Sequence, residues 1–337
     1  MTMATPHRPE AGPRHEVSIV VPVYKGETTL DALVAEILPL TDGAVSPGGV
    51  PWVVTEVLLV HDNGPDDSAG TMRRLAEAHT LVRPIWLSRN FGQHSATLAG
   101  MASTGSEWIA TIDEDGQHDP ADIGKLIDAA LENSAPLVYA KPTNRAPHGA
   151  LRNASSRGAK AVVSTLAGNP RTAEYQSFRL VLGEVGRSVA AYAGAGVYLD
   201  VALGWVASRT ATAPIALRGD ERRASGYSAR SLLGHFWRLI LTSGTRGLRI
   251  VSGLGVLFAL AGVALGILFL VQRLANGDLP AGWASQITVT LFASGAILFS
   301  LGVIAEYLGV VVNAAMGKPP YLIVSDPHDG PLGRRAP

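Results

Sequence analysis

Two stretches without a charged side chain, Ile250–Val271 and Leu279–Ala305, set the first limit on what this chain can fold into. About 20 apolar residues are needed to cross the hydrocarbon of a bilayer, and each stretch is long enough. Gly, Ala and Ser lie among the Leu, Val and Phe of both, which suits close helix packing in lipid. The connector, QRLANGD, is too short to hold a domain, so the pair is expected as a transmembrane hairpin. Arg238, Arg246 and Arg249 precede the first stretch and Lys318 follows the second, against Arg273 alone in the connector. By the positive-inside tendency the large N-terminal region and the C-terminal tail are cytoplasmic, and the chain is a multi-pass protein of the inner (plasma) membrane.

The remainder reads as water-soluble. A formal net charge of zero gives no bulk attraction to nucleic acid, and no nucleic-acid partner is expected. With no cysteine, disulfides, thiolate metal sites and cysteine nucleophiles are excluded. The opening MTMATPHRPEAGPR is polar and lacks an apolar core, as a loose tail would and a secretory signal would not.

From Glu16 onward, apolar runs alternate with amphipathic ones. Strands are predicted at Glu16–Tyr24, Glu56–Val60, Leu81–Leu87 and Trp108–Ile112. Helices are predicted between them: one reaching about Leu40 and capped by Thr28 or Thr29, one over Ala69–His79, and a small-residue helix ending near Ser103. Gly43–Pro51 reads as a loop, Ile123–Leu131 as a helix, and Leu137–Ala140 and Ser177–Leu182 as strands, with Val197–Val206 ambiguous. Strand and helix in turn, with short links, imply an α/β fold whose parallel sheet is covered on both faces. Ligands of such sheets sit beyond the carboxyl ends of the strands. Tyr24, Glu27, Asp62, Asn90, Asp113, Asp115 and Gln117 all fall at those ends.

The sharpest local feature is IATIDEDGQHDP, residues 109–120. Side chains two apart on an extended chain share a face, so Asp113 and Asp115 can meet one cation just past the strand. Hard divalent ions, Mg2+ or Mn2+, suit carboxylate and phosphate oxygens. Downstream, Arg145, Arg152, Arg157 and Lys160 make a basic region able to meet a lipid phosphate, and Ser231–Leu241 is amphipathic, as an interfacial segment is.

Taken in order, these motifs resemble the membrane-associated polyprenyl-phosphate glycosyltransferases of glycosyltransferase family 2, a group that includes dolichyl-phosphate mannose synthases and bactoprenol glucosyl transferases. PVYKGET stands where that family has P-x-Y-N-E, and VHDNGPDDS where it has V-D-D-G-S. SRNFGQH and DEDGQHDP match intact, and SGYSAR, EYLG and KPPYLI resemble the family's later segments. The resemblance covers roughly Val17–Pro320.

It implies a GT-A-type, Rossmann-like nucleotide-sugar-binding domain with a mainly parallel sheet, followed by interfacial helices and two transmembrane helices. The boundaries are a tail over 1–14, a catalytic domain over 15–224, an interfacial segment over 225–247, spans over 248–272 and 283–314, and a tail over 315–337. Asp113, Asp115 and Gln117 become the catalytic residues, with Asp113 and Asp115 holding Mg2+ or Mn2+. Pro22, Tyr24, Glu27, Asp62, Asn90, Gly92, Gln93, Glu114 and Arg223 become donor-binding, and Asp62 would hold the base or ribose. Arg145, Arg152, Ser156, Arg179 and Arg222 become the acceptor-phosphate set. The implied partners are a UDP- or GDP-sugar, a polyprenyl phosphate of undecaprenyl, decaprenyl or dolichyl type, the membrane, and further copies of the chain, a tetramer by resemblance.

This chain departs from the pattern at QSFRL, where Ser177 replaces the aspartate of G-D-F-R-L, and at Lys25 and Gly26, which replace Asn and Glu. A phosphate acceptor, whose second pKa is about 6, needs no strong base, so Ser177 is compatible with transfer. There are two alternatives: a catalytically degenerate subunit or scaffold, from the departures, and a processive polysaccharide synthase, from the match of Gln176–Arg179 to the start of that class's Q-x-x-R-W signature. The second is disfavoured because Leu180 replaces the Trp of the Q-x-x-R-W signature.

Overall fold

The computed structural model describes residues 14–144, 176–194, 196–218 and 282–330, with separate positions between 251 and 274. They divide into two compact units: the described residues of 14–218 with 319–330, and those of 251–318.

The first unit is built on a nine-stranded sheet. Its elements are β1 (His15–Val23), α1 (Leu30–Ile37), β2 (Ala44–Val45), β3 (Pro51–His61), α2 (Ser68–Ala78), β4 (Val82–Leu87), α3 (Gln93–Ala102), β5 (Trp108–Thr111), α4 (Ile123–Asn133) and β6 (Leu137–Pro142). There follow β7 (Arg179–Leu182), α5 (Gly183–Tyr192), α6 (Leu199–Val206), β8 (Thr210–Ile215) and, after the long helix α7 (Trp283–Ala315), β9 (Ile323–Val324). The strand order is β8-β6-β7-β5-β1-β3-β4-β9, with β2 added to β3. The central strands β5, β1, β3 and β4 are parallel, whereas β7 runs antiparallel between β5 and β6, and β9 antiparallel on β4. This is a GT-A-like α/β domain with a mixed sheet.

Period-two alternation along β1 assigns the two faces. Val17, Ile19, Val21 and Val23 join the core under α1, α2 and α4. Val20 joins Leu58 and Val60 in the core under α3, α5 and α6. Both faces are covered, which is why these strands read as continuous apolar runs.

Several boundaries differ from expectation. Thr29 occupies the N-cap of α1 without a side-chain cap bond; the Gly26 carbonyl accepts from the Thr29 and Leu30 amides instead. The expected loop at 43–51 contains β2, and β3 begins at Pro51, before the predicted Glu56. The ambiguous Val197–Val206 segment is helical from Leu199, with Leu199, Ala202 and Leu203 packed under the sheet beside α3 and α5. The strand β8 was not expected, because TATAPI alternates only Thr with small Ala, offers little apolar bulk and carries a proline. Nor was β9, which lies in the segment expected as a tail.

In the second unit, Phe292–Ala315 is long and apolar enough to cross a membrane, with a mean hydropathy of 2.0, and it is the one such helix among the described residues. Phe292, Leu298, Phe299, Leu301 and Leu308 are exposed along it. Every described position between 251 and 274 is helical as well. The rest of the expected first span and the interfacial segment 225–247 lie outside the described residues.

Candidate active site at the carboxyl edge of the sheet

Because β1, β3, β4 and β5 are parallel, their following residues emerge at one edge. Tyr24 and Lys25 follow β1, Asp62 follows β3, Ser88 follows β4, and Asp113 to Gln117 follow β5. β7 runs the opposite way, with Thr111 opposite Arg179, so the residues that precede β7 arrive where β5 ends. That reversal delivers Ser177 to Asp113, whose Oδ2 accepts from the Ser177 hydroxyl at 2.5 Å. The other oxygen of Asp113 accepts from Gln93 Nε2 at 2.6 Å.

The middle residue of the acidic triplet faces the end of β1. Glu114 accepts from the backbone amides of Tyr24 at 3.0 Å and Lys25 at 2.9 Å, fixing the turn after the strand. Asp115 accepts from the Gln117 amide at 3.1 Å, closing a turn around Gly116. The Gln117 carbonyl in turn accepts from the Arg218 amide, and the Arg218 guanidinium pairs with Glu36 and Asp119.

Asp62 is tied to the loop that follows β4. Its carboxylate accepts from the Phe91 amide at 2.7 Å and the Gly92 amide at 2.8 Å. Gly92 has φ +91° and ψ 158°, a backbone region essentially restricted to glycine, which explains the glycine of SRNFG. Gly64 is required for a different reason: a Cβ there would lie 1.7 Å from the Tyr24 carbonyl oxygen.

Burial pushes the Asp113 carboxyl above its ordinary range, against the Ser177 bond, and the neighbouring charge of Asp115 adds to the rise. Burial likewise raises Glu114 and Asp62, each opposed by two backbone N–H donors. His118, buried with its ring 4.9 Å from Phe178, is lowered by burial, and its Nδ1 has no hydrogen-bond partner among the described residues. The edge thus carries an excess of carboxylates.

The donor set fits a hard cation. A carboxylate oxygen has two lone pairs, so each oxygen of Asp113 keeps one after accepting its single bond. Asp113 and Asp115 are the residues that would hold Mg2+ or Mn2+. Among the described residues no group of three or more His, Cys, Asp or Glu is placed to ligate a metal, so further ligands would have to come from donor oxygens or water.

A sequence profile described as "Glycosyl transferase family 2" matches residues 18–185. The chain carries a glycosyltransferase family 2 domain. Two similar curated proteins are undecaprenyl-phosphate 4-deoxy-4-formamido-L-arabinose transferases. That of Klebsiella pneumoniae (strain 342) is 29% identical over 92% of this chain and 93% of its own length. That of Salmonella paratyphi A is 28% identical over 93% of this chain and 94% of its own length. A solved structure described as that of a mycobacterial protein is 17% identical, covers 69% of this chain and 74% of its own, and has a TM-score of 0.50, a likeness of fold.

In the glycosyltransferase domain, Tyr24, Glu27, Asn90 and Gln93 are exposed, and Pro22 and Gln117 are half-buried. Hydrogen bonds join Tyr24, Glu114, Asp62, Gly92, Gln93 and Asp113 into one edge. Arg179 lies beside this edge, its Nε donating to the Ser177 carbonyl at 3.3 Å, and its guanidinium forms a buried ion pair with Asp200, which also accepts from the Tyr139 hydroxyl at 3.0 Å. A basic residue at the start of an apolar strand reads as surface-exposed only until its partner is known, and Asp200 lies inside the ambiguous segment. Arg145, Arg152, Ser156, Arg222 and Arg223 lie outside the described residues. Two groups at this edge were not singled out from sequence: His118, inside the acidic motif, and Arg218, shortly after β8.

Proposed function

We propose that this chain is a membrane-bound inverting glycosyltransferase that moves a sugar from a nucleotide-sugar donor to a polyprenyl phosphate of undecaprenyl, decaprenyl or dolichyl type. The observation that carries the reading is Asp113, fixed from two sides by Gln93 and Ser177 at the carboxyl edge of a family 2 domain. The acceptor class follows from the relatives, aligned over nearly the whole chain, whose names give undecaprenyl phosphate.

The donor diphosphate lies against Asp113 and Asp115 in this reading, with its nucleoside toward Tyr24 and the Ser88–Gly92 loop. An oxygen of the lipid phosphate attacks the anomeric carbon from the face opposite the diphosphate. That C–O bond forms as the bond to the nucleoside diphosphate breaks, and configuration inverts. Ser177 offers a hydroxyl and no base, which suffices because a phosphate monoester is ionised near neutral pH. A bound Mg2+ or Mn2+ supplies charge stabilisation for the departing diphosphate. The apolar hairpin keeps the domain and both termini on the cytoplasmic side, where a lipid head group can reach the edge, and self-association through its small residues fits a homo-oligomer.

The test is incubation of the purified, detergent-solubilised chain with polyprenyl phosphate and a panel of labelled UDP- and GDP-sugars. Transfer of one sugar to the lipid, abolished by chelator and restored by Mg2+ or Mn2+, is the expected result. Absence of transfer from every donor, with donor binding retained, overturns the reading in favour of a non-catalytic subunit.

A further inference from the structure

The chain beyond the apolar helix comes back to the glycosyltransferase domain and adds β9 to the free edge of β4. Val324 pairs with Trp86 and Ile323 with Leu87, and the next bond runs from the Ser88 amide to the Leu322 carbonyl at 3.0 Å. Ser88 is the first residue of the SRNFG loop. Tyr321 packs against the same apolar cluster as Phe91 and Ile85. We propose that Arg73 and Asp326 are positioning residues for this donor loop, and that the segment from Tyr321 to Asp326 is part of the donor site's framework.

A two-residue strand holds little by itself. Asp326 locks it with a bidentate ion pair to Arg73, both N–H···O distances being 2.7 Å. The Arg73 guanidinium also lies 4.9 Å above the Trp86 ring, directly beside the paired residues. Paired, planar contacts of this kind fix geometry better than a point charge would. Asp326 further accepts from the His328 amide at 2.9 Å, which turns the chain away after the clamp.

The loop is therefore held at both ends. Ser88 is fixed by the returning segment, and Phe91 and Gly92 by Asp62. The next residue, Gln93, reaches Asp113. A shift at Ser88 is passed along four residues to the group that orients the acidic edge. An edge cover needs only to blunt β4, and it would do so without extending its last bond onto the loop. Since this segment follows α7 in the chain, the donor loop takes its final position only after the residues beyond the apolar helix have been made.

The inference rests on the donor-site reading above for its functional half, and its structural half is measured separately. Hydrogen exchange and donor kinetics are to be recorded on the full chain in detergent for Asp326→Ala, Arg73→Ala and Asp326→Glu. In both alanine variants, exchange at Ser88–Gly92 is expected to rise about fivefold with β1 and β3 amides unchanged, as loss of a partly exposed ion pair implies. Donor KM is expected to rise by a similar factor while kcat and acceptor KM stay within about twofold, and Asp326→Glu to restore both readouts. Unchanged exchange at Ser88–Gly92, or a rise shared equally by β1 and β3, overturns the proposal. A wild-type chain that transfers no sugar would overturn the proposed function and leave the exchange result to decide this one.

Discussion

Ser177 donates to Asp113 where the family pattern has an aspartate, so a neutral hydroxyl replaces what would be another negative charge beside an already crowded carboxylate. The exchange turns repulsion into a fixed hydrogen bond. Groups that orient a metal-binding carboxylate typically matter tenfold to a hundredfold in affinity or rate. Ser177→Ala should accordingly weaken Mn2+ binding, read by electron paramagnetic resonance titration, by about tenfold and lower kcat/KM similarly, while Ser177→Thr retains both. Asp115→Asn should reduce transfer by far more while leaving thermal unfolding unchanged, and near-normal rates would count against the cation site. At this scale the sequence showed which residues gather and not which atoms they use. DEDGQHDP announces an acidic edge, but Glu114 holding the β1 turn and Asp62 holding the Phe91 and Gly92 amides depend on four separate strands ending together. The buried pairing of Arg179 was illegible for the same reason, since its partner Asp200 is twenty-one positions away on a different element.

Elements with a strong period were legible and those shaped by pairing were not. β1, α2 and α4 follow from β-branched runs and apolar spacing, whereas β8 and β9 exist because a neighbouring strand offers free backbone groups. Close packing between elements gives a stability prediction. A Cβ at Gly100 of α3 would lie 2.3 Å from Val20 Cγ1 of β1, so Gly100→Ala should destabilise the domain by about 2 kcal/mol, seen as a lower thermal midpoint. Acid should act in two steps, the first on the stability of the domain and the second on the returning edge. Burial lowers the His61 pKa below 6.5, so an unfolded chain takes up a proton that the folded one resists, and stability declines as pH falls below about 6.5. The Arg73 hydrogen bond holds the Asp326 carboxyl below 3.8 despite some burial. Its contribution is therefore full above about pH 4 and is lost only as pH falls through that lower folded value. Hydrogen exchange at Ser88, corrected for the intrinsic rate, should stay flat through the mild-acid step in Asp326-containing protein and rise in the second.

For the whole molecule, the absence of cysteine makes topology directly measurable, since any introduced thiol is the only one present. The proposed hairpin places Asn276, in the connector, across the membrane from the glycosyltransferase domain. Ser325 is exposed and adjoins Asp326 in the segment that belongs to the first unit, so a label there reports the side on which the domain lies. The excess of Arg before the first stretch and Lys318 after the second predict that side to be cytoplasmic. In intact cells a membrane-impermeant maleimide should therefore modify Asn276→Cys and not Ser325→Cys, and permeabilisation should expose Ser325→Cys. Both thiols reacting from the same side would remove the hairpin, and the opposite pattern would reverse the orientation. Either result would separate the carboxyl edge from cytoplasmic nucleotide sugar or from the lipid head group as proposed, because a single edge must receive a water-soluble donor and a membrane-held acceptor.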